Sequence, residues 1–270
     1  MKYFFQNLLW KMGFDMSKIY HNEVNLNSLK KQLWPVTYDG LKLVRVGNQQ
    51  KDGGYIVPES HKDIKLVFSP GTGEVDDFEL ELAQNNCKIF MADKNNITKK
   101  KHTNFNIIKK FIKSYNSKDT ITFNDWYKDS IKNNNINDDL LVQIDIEGDE
   151  YEVILSIKPS IFKKIKILIV EFHYFTRILQ PPFNKIINST MQKILNDFVP
   201  VHNHINNNSS IMKYGSSSIP HCFEITFLRK ELNREYFYQK NFPSSLDRPN
   251  LLNKKDLHLP DDWYNSKNNE

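Results

Sequence analysis

The sequence predicts an α/β protein with a mainly parallel, Rossmann-like sheet that carries helices on both faces. Two observations support this class. Short, nearly continuous apolar runs alternate with stretches of helical character, and several of these runs end in glycine or in an acidic residue. Strands that alternate with helices form parallel sheets through right-handed crossovers. Continuous apolar runs are typical of strands that are covered on both sides.

The expected elements follow from these periodicities. A half-buried strand is expected first, then a glycine turn with a second short strand, and then strands that alternate with helices. Strands are predicted over 41–47, 55–58, 65–69, 88–92, 105–112, 140–144, 165–170 and 223–228. Helices are predicted over 76–84, 122–130 and 186–198.

Length and composition predict one main domain with appendages. We expect a helical N-terminal appendage over 1–38, a main domain over 39–230, and a C-terminal tail over 231–270 that packs on it. The apolar start, residues 1–11, is too short and interrupted to span a membrane and lacks a small-residue cleavage site, so it is expected to be a docking helix.

Charge and cysteine content narrow the function classes. The net charge of +5 is too mild, and too little clustered, to predict a nucleic-acid partner. Cys87 and Cys222 cannot form a disulfide framework, and no zinc-finger spacing is present. We therefore expect a cytoplasmic protein with reduced thiols, no transmembrane segment and a small-molecule substrate. Formation of a homo-oligomer is left open.

A glycine turn and a later acid predict an adenosine cofactor. Gly71, Thr72 and Gly73 lie between a predicted strand and a helix, where glycines allow a ligand to approach the backbone. Asp93 closes the next strand, 22 residues after Gly71. A carboxylate at about this spacing binds the ribose hydroxyls in dinucleotide-binding folds.

The charge at the following helix favours S-adenosylmethionine (SAM) over NAD. Glu74, Asp76 and Asp77 crowd the helix start, where they would repel a pyrophosphate. SAM has no phosphate and carries an ammonium and a sulfonium group, which carboxylates stabilise. We therefore expect SAM, with Asp77 among the residues that bind it.

Polar residues at later strand ends predict the reaction centre. Asp145 ends the fourth apolar run and Glu171 the fifth, with His173 two residues further on the same face. Ligands bind at the carboxyl ends of strands in open α/β sheets. Asp149 is instead expected to cap the next helix. The segment 202–207 contains two histidines and is expected to return to this edge, where it could bind sugar hydroxyls or a metal.

These residues together resemble the FkbM-type methyltransferases. The resemblance covers about 40–260, and its most specific element is the sequence Ile-Asp-Ile-Glu-Gly at 144–148. Further matching positions are at 44–47, 52–55, 71–73, 93, 122–126, 153, 155, 171–173, 202–207, 224–227 and 242–250. The turn Ser-Pro-Gly-Thr-Gly at 69–73 departs from the pattern through its proline.

The resemblance implies a SAM-dependent O-methyltransferase that acts on a carbohydrate hydroxyl, such as that of a nucleotide-activated sugar for a capsule or lipopolysaccharide. Cofactor-binding residues implied by the resemblance or expected from the residues are Gly54, Tyr55, Gly71, Thr72, Gly73, Asp77, Asp93 and Asp145. Residues expected to contact the substrate are Glu147, Tyr174, His204, Asn206 and Asn207.

The sequence leaves two mechanisms open. A sugar hydroxyl is a weak nucleophile, so either His173 or Asp145 acts as a general base, or a metal ion shares the developing charge. Asp145, Glu171 and His173 could hold such an ion, with Mg²⁺ or Mn²⁺ as the expected species.

Other functions remain as alternatives. A methyltransferase acting on a macrolide or a lipid would use the same residues. A methyltransferase acting on RNA or protein would need a basic face or a recognition domain. An NAD-dependent sugar-modifying enzyme would require a full GxGxxG turn, which is missing. A binding module without activity would not need Asp93, Asp145, Glu171 and His173 together.

Overall fold

The structure is a computed structural model that describes residues 9, 11, 12, 24–73, 76–95, 98, 100–132 and 139–264. Most of the docking helix predicted over 1–11 lies outside the described residues, and so does Glu74. Within the predicted N-terminal appendage, a helix packs onto the main core through Leu26 and Leu29, and Leu33 directly after the helix joins the same cluster.

The described elements begin and end at well-defined residues. The strands are β1 (Val36–Thr37), β2 (Leu43–Gly47), β3 (Gly54–Pro58), β4 (Leu66–Pro70), β5 (Lys88–Ala92), β6 (Phe105–Ile108), β7 (Phe111–Lys113), β8 (Thr120–Thr122), β9 (Leu140–Ile144), β10 (Ile165–Phe172), β11 (Phe198–Ile205), β12 (Ile211–Tyr214), β13 (Ser217–Pro220), β14 (Phe223–Arg229) and β15 (Phe237–Tyr238). The α-helices are α1 (Val24–Gln32), α2 (Asp77–Gln84), α3 (Phe123–Ile131), α4 (Glu150–Ser156), α5 (Pro159–Phe162) and α6 (Phe183–Asp197). Short 3₁₀ turns lie at Glu59–Asp63, Phe175–Leu179 and Asp261–Trp263.

A seven-stranded sheet forms the centre, in the spatial order β11-β14-β10-β9-β4-β5-β6. Strand β14 is antiparallel to both of its neighbours, whereas all the other neighbouring pairs are parallel. The predicted mainly parallel α/β sheet is therefore confirmed. The chain builds one side of the sheet from β4 to β6 and the other from β9 onward, so the order reverses between β4 and β9.

Helices cover both faces because consecutive strand residues point to opposite sides. In β4, Phe68 belongs to a buried cluster that includes Trp126 of α3 and Val153 of α4. Its neighbour Val67 belongs to a second cluster, which includes Phe78 of α2. Burying each large apolar side chain stabilises the fold by roughly 1.5–3 kcal/mol. This two-sided burial explains why the central strands read as continuous apolar runs.

Three strand predictions need correction. The single strand predicted over 105–112 is two strands, β6 in the main sheet and β7 paired with β8, because Lys109 and Lys110 occupy a bend between them. Strand β10 runs beyond 165–170, so that Glu171 lies inside it and is buried. Strand β11 was not predicted as a strand because its polar His-Asn-His sequence, though buried, does not alternate with apolar residues.

The segment after β14 returns to the sheet rather than forming a separate unit. Gln239 donates hydrogen bonds to the carbonyl oxygens of Val36 at 2.8 Å and Val201 at 2.6 Å. Trp263 is fully buried and its ring N–H donates to the carbonyl of Ser218 at 2.6 Å. The domain boundaries at 38 and 230 remain predictions.

Two further observations concern the cysteines and the helices. Cys87 and Cys222 are both buried free thiols. Among the described residues, no helix combines the length and the apolar character needed to cross a membrane.

Candidate functional site

The candidate site is a cleft at the carboxyl ends of β4, β5 and β9, where the order of the strands reverses. Open α/β sheets bind their ligands at such a switch point. The cleft consists of a larger cavity of about 480 Å³ and a smaller cavity of about 200 Å³. Gly71, Gly73, Asp145 and Glu147 line both cavities, so the two form one continuous cleft.

Gly71 allows the loops after β4 and β9 to meet. Its φ of +92° is a left-handed conformation, and a Cβ atom there would lie 1.5 Å from the carbonyl oxygen of Asp145. A side chain would therefore clash with backbone. By contrast, a Cβ at Gly73 would meet no atom within 4 Å. Thr72 is buried and donates to the carbonyl of Ser69 at 3.0 Å. The first glycine thus shapes the cleft, and the second leaves it open.

Asp93 lies at the rim of the larger cavity, directly after β5. Its Oδ1 accepts a hydrogen bond from the backbone N–H of Asn95 at 2.6 Å, which orients the carboxylate. Phe111 and the buried Ile112 supply an apolar wall of the same cavity. Nearby, Lys113 forms an ion pair with Asp149, so this end of the cleft combines an acid with apolar surface.

The smaller cavity is lined by a buried polar network. Tyr55 accepts a hydrogen bond from the side-chain amide of Gln143 at 2.9 Å. The Ser69 hydroxyl lies 2.7 Å from Gln143 Oε1 and 2.5 Å from Glu79 Oε1. Burial raises the pKa of Glu79 to about 7 against the opposing effect of the Ser69 hydrogen bond. Asp52 lines the same cavity, and its pKa is also raised by burial.

His173 stands at the centre of a group of carboxylates. Its Nδ1 lies 2.9 Å from Glu150 Oε1, and its Nε2 lies 3.5 Å from Glu147 Oε2 and 4.0 Å from Asp145 Oδ1. Burial alone would lower the pKa of His173. The hydrogen bond and charge of Glu150, followed by the charges of Glu171 and Glu147, instead raise this pKa to about 9. The predicted acid and histidine therefore meet beside the cleft, which Asp145 lines.

Asp145, whose side chain is 27% exposed, and the buried Glu171 form a carboxyl pair next to His173. Burial raises the pKa of Asp145 well above its usual range, and the charge and hydrogen bond of Glu171 add to this effect. Glu171 Oε1 also accepts from the Asn206 amide at 2.6 Å and from the Cys222 thiol at 2.9 Å. Glu224 lies close by, and its pKa is likewise raised by burial and by the charge of Glu171. Carboxylates outnumber basic groups in this region, so it would favour a cationic ligand.

The comparison with protein families decides the identity. The family described as "Methyltransferase FkbM domain" matches residues 38–199, which is more than half of the chain. The chain belongs to the FkbM methyltransferase family. It is therefore a methyltransferase, and the family implies SAM as the methyl donor. The match includes Asp93, Asp145 and His173 and ends before His204.

Three solved structures align with part of this FkbM methyltransferase at low identity and low TM-score. A fibrillarin/Nop5p complex has 9% identity and a TM-score of 0.35 over 63% of this chain and 74% of the other. A putative RNA methyltransferase, PH1948 from Pyrococcus horikoshii, has 10% identity and a TM-score of 0.32 over 62% and 75%. A putative hemolysin from Lactococcus lactis has 12% identity and a TM-score of 0.34 over 63% and 81%. No curated protein sequence matches significantly.

Two of the predicted cofactor-binding residues do not line the cleft. Gly54 lies within β3, where a Cβ would be 2.2 Å from the carbonyl of Asn48, so it serves the β2–β3 hairpin. Asp77 accepts from the Asn48 amide at 2.8 Å, forms an ion pair with Lys100 and faces a separate surface depression. Its carboxylate is thus engaged in fixing the start of α2.

The predicted substrate residues divide into two groups. Glu147 and Tyr174 flank His173 and are 83% and 46% exposed, and Asn206 is bonded to Glu171. By contrast, His204 is buried, and its Nδ1 lies 3.6 Å from Oδ1 of Asp247 in the C-terminal tail. Asn207 is buried and donates to the carbonyl of Leu251 at 2.9 Å. His204 lies in β11 and Asn207 two residues after it, and both contact the C-terminal tail.

The expected capping role of Asp149 is wrong, whereas the expected metal residues remain a prediction. Asp149 precedes α4 but its side chain makes no capping bond and pairs with Lys113 instead. Two groups of potential metal ligands lie among the described residues, each with ligand atoms within 4.8 Å of one another. They are Asp145–Glu147–His173 and Glu171–His173–Cys222. The predicted trio of Asp145, Glu171 and His173 is not one of them.

Sequence reasoning missed Glu150, Gln143 and Asp52. Glu150 was one of several acids after β9, and no periodicity distinguishes it from its exposed neighbour Glu152. Gln143 lies within the predicted apolar strand 140–144, and nothing in that pattern marks it as a site residue. The signal that could have found Glu150 is its position at the first residue of the helix that follows β9, on the cleft edge of the sheet.

Proposed function

We propose that this methyltransferase is a SAM-dependent O-methyltransferase that transfers a methyl group to a carbohydrate hydroxyl. The observation that carries the proposal is the continuous cleft at the switch point. It has Asp93 and an apolar wall in the larger cavity, and His173 lies beside Asp145 and Glu147, which line both cavities. An adenosine-linked cation would fit the cavities, and an acceptor that must lose a proton would fit beside His173.

The residues of the cleft fit SAM better than NAD. Asp93 is proposed to bind the ribose hydroxyls, and Phe111 and Ile112 to contact the adenine. Tyr55 and Asp145 line the smaller cavity, where the positively charged methionine moiety would be stabilised by carboxylates. A pyrophosphate would be repelled there, and the family is one of methyltransferases, so the NAD alternative is set aside.

In the proposed reaction, SAM supplies an electrophilic methyl group and the chain supplies position and proton transfer. The acceptor hydroxyl would lie beside His173 Nε2 and Asp145, where the imidazole accepts the proton that the hydroxyl loses. Added positive charge lowers the pKa of a nearby histidine. A bound cation would therefore shift His173 from its ligand-free pKa of about 9 toward neutrality, where it can act as a base.

The open rim supports a carbohydrate as the acceptor. Tyr174 is 46% exposed and its ring is held edge-on against His221 at a centroid distance of 5.4 Å. An exposed aromatic face can pack against a sugar ring, while Glu147 and Asn206 can bind hydroxyls. We extend the proposal to a nucleotide-activated sugar for surface polysaccharide, made in the cytoplasm. A macrolide or lipid hydroxyl is the second candidate, favoured by the same exposed ring.

The metal alternative uses Mg²⁺ or Mn²⁺ on Asp145 and His173, with Glu147 in place of the predicted Glu171. We favour the base because Glu150 already occupies the second nitrogen of His173 at 2.9 Å and gives it a partner without an ion. The two versions make different predictions for chelation. EDTA abolishes turnover if an ion shares the charge and leaves it intact if His173 acts as the base.

The test is methyl transfer from labelled SAM to a panel of free and nucleotide-linked sugars, with a macrolide and a lipid alcohol included. His173→Gln is expected to lower kcat by about 10²–10⁴-fold while SAM still binds. His258→Gln is the matched control because that histidine is 62% exposed and lies in the tail. Labelling of a protein or RNA instead of these alcohols would contradict the proposal.

A further inference from the structure

We propose that Glu150 is a positioning residue that holds the Nδ1 proton of His173 and so presents Nε2 to the cleft. Only the use of this arrangement in base catalysis rests on the function proposed above. The arrangement itself stands on the hydrogen-bond geometry of α4 and of the strand ends.

The carboxylate of Glu150 is fixed before it contacts the histidine. Glu150 is the first residue of α4 and is fully buried. Its Oε1 accepts hydrogen bonds from the backbone N–H groups of Ile146 at 3.2 Å and Gly148 at 2.9 Å. Two backbone donors on one oxygen leave the side chain little rotational freedom. The oxygen that faces His173 therefore has a defined position.

The contact between Glu150 and His173 requires a proton on Nδ1. Two acceptors at 2.9 Å would repel each other, so the ring nitrogen must donate to the carboxylate. Among the described residues, His173 is the ion-pair partner of Glu150, and Glu150 Oε2 is buried without a hydrogen-bond partner. A buried carboxylate is costly unless it is paired. The Nδ1 proton is thus retained whether or not the ring is charged.

The backbone of His173 is held by the same helix. The hydroxyl of Tyr151, the next residue of α4, donates to the carbonyl oxygen of His173 at 2.9 Å. The first turn of α4 therefore fixes both the chain and the ring of His173. This leaves Nε2 directed toward Glu147 and Asp145, two carboxylates that line both cavities of the cleft.

The consequence is that the exchangeable proton of His173 is the one on Nε2. The hydrogen bond made by one ring nitrogen decides which nitrogen is free for chemistry. With Nδ1 committed to Glu150, the neutral ring offers a bare Nε2 to an acceptor hydroxyl in the cleft. Without Glu150, the ring could rotate or carry its proton on Nε2, and the base would be lost even though the histidine remained.

The test is nitrogen-15 NMR of the full chain with labelled histidine, at a pH well above the His173 pKa of about 9. The chain has eight histidines, and the His173→Gln variant assigns the resonance. We expect a protonated Nδ1 and a bare Nε2 in the wild-type protein. Glu150→Gln keeps an acceptor oxygen in place and is expected to keep this tautomer, whereas Glu150→Ala is expected to shift the proton toward Nε2.

Glu152→Ala is the matched control, since it lies on the same helix but is exposed. A wild-type spectrum with the proton on Nε2 would overturn the proposal, and so would an unchanged spectrum in a folded Glu150→Ala variant. If Glu150→Ala does not fold, the wild-type and Glu150→Gln spectra still decide the question.

The kinetic arm measures the proposed catalytic use separately. Once an acceptor is known, Glu150→Ala is expected to lower kcat by about 10²–10⁴-fold, the range for general-base catalysis, with the affinity for SAM unchanged. Failure of the proposed function would appear as absent methyl transfer in the wild-type protein, and the NMR result would be unaffected by it. An unchanged kcat in a Glu150→Ala variant with an altered tautomer would remove the catalytic role.

Discussion

Replacing Asp93 by alanine tests the cofactor end of the cleft. The side chain lies at the rim of the larger cavity and is oriented by the Asn95 N–H at 2.6 Å, so it is preorganised to accept ribose hydroxyls. Losing a charged hydrogen-bond acceptor costs about 1–3 kcal/mol. At about 1.4 kcal/mol for each factor of ten, the Kd for SAM is expected to rise by roughly 5–150-fold.

Isothermal titration calorimetry of the wild-type and variant proteins with SAM measures this change. Asp129→Ala is a suitable control because Asp129 is exposed on α3 and paired only at the surface with Lys132. Its Kd is expected to equal that of the wild type. An Asp93→Ala variant that binds SAM as tightly as the control would refute the reasoning that this acid holds the ribose.

Three further predictions follow from the same geometry. Glu79 has a raised pKa of about 7, so it contributes stability below about pH 4.5 that is lost as the pH rises through 7. In urea unfolding at about pH 8, the free energy of unfolding of Glu79→Gln is therefore expected to exceed that of the wild type by up to roughly 3 kcal/mol. No such difference is expected at about pH 4, and Glu152→Gln is expected to match the wild type at both pH values. Gly71→Ala is expected to lower the Tm strongly or prevent folding, whereas Gly73→Ala folds normally, as measured by circular dichroism; equal Tm values would contradict the clash described for Gly71. EDTA is expected to leave turnover and its dependence on His173 intact. Loss of turnover in EDTA that added Mg²⁺ restores would support the metal version instead.

The sequence predicted the central architecture because burial on both faces leaves a strong apolar signal in β4, β5, β9 and β10. Asp93, Asp145 and His173 could be placed at one sheet edge because strand ends determine where their side chains emerge. Their individual roles stay predictions. The polar strand β11 was missed, since its buried histidines are compensated by a tail segment that is distant in sequence.

The contacts around His173 could not be predicted for a related reason. Glu150 and its neighbours all read as acids at a helix start, and only packing decides which of them is buried. In the structure Glu150 is fully buried, whereas Glu147 is 83% exposed, although only three positions separate them. The left-handed backbone at Glu147 turns that side chain outward, a feature that carries no signature in sequence for a residue other than glycine or asparagine.

The central claim is that the cleft at the switch point binds SAM. Calorimetry of the wild-type protein with SAM and, separately, with NAD tests it most directly because neither titration requires the acceptor to be known. The account predicts saturable binding of SAM with one site per chain and no binding of NAD. Tight binding of NAD with no heat from SAM would contradict it.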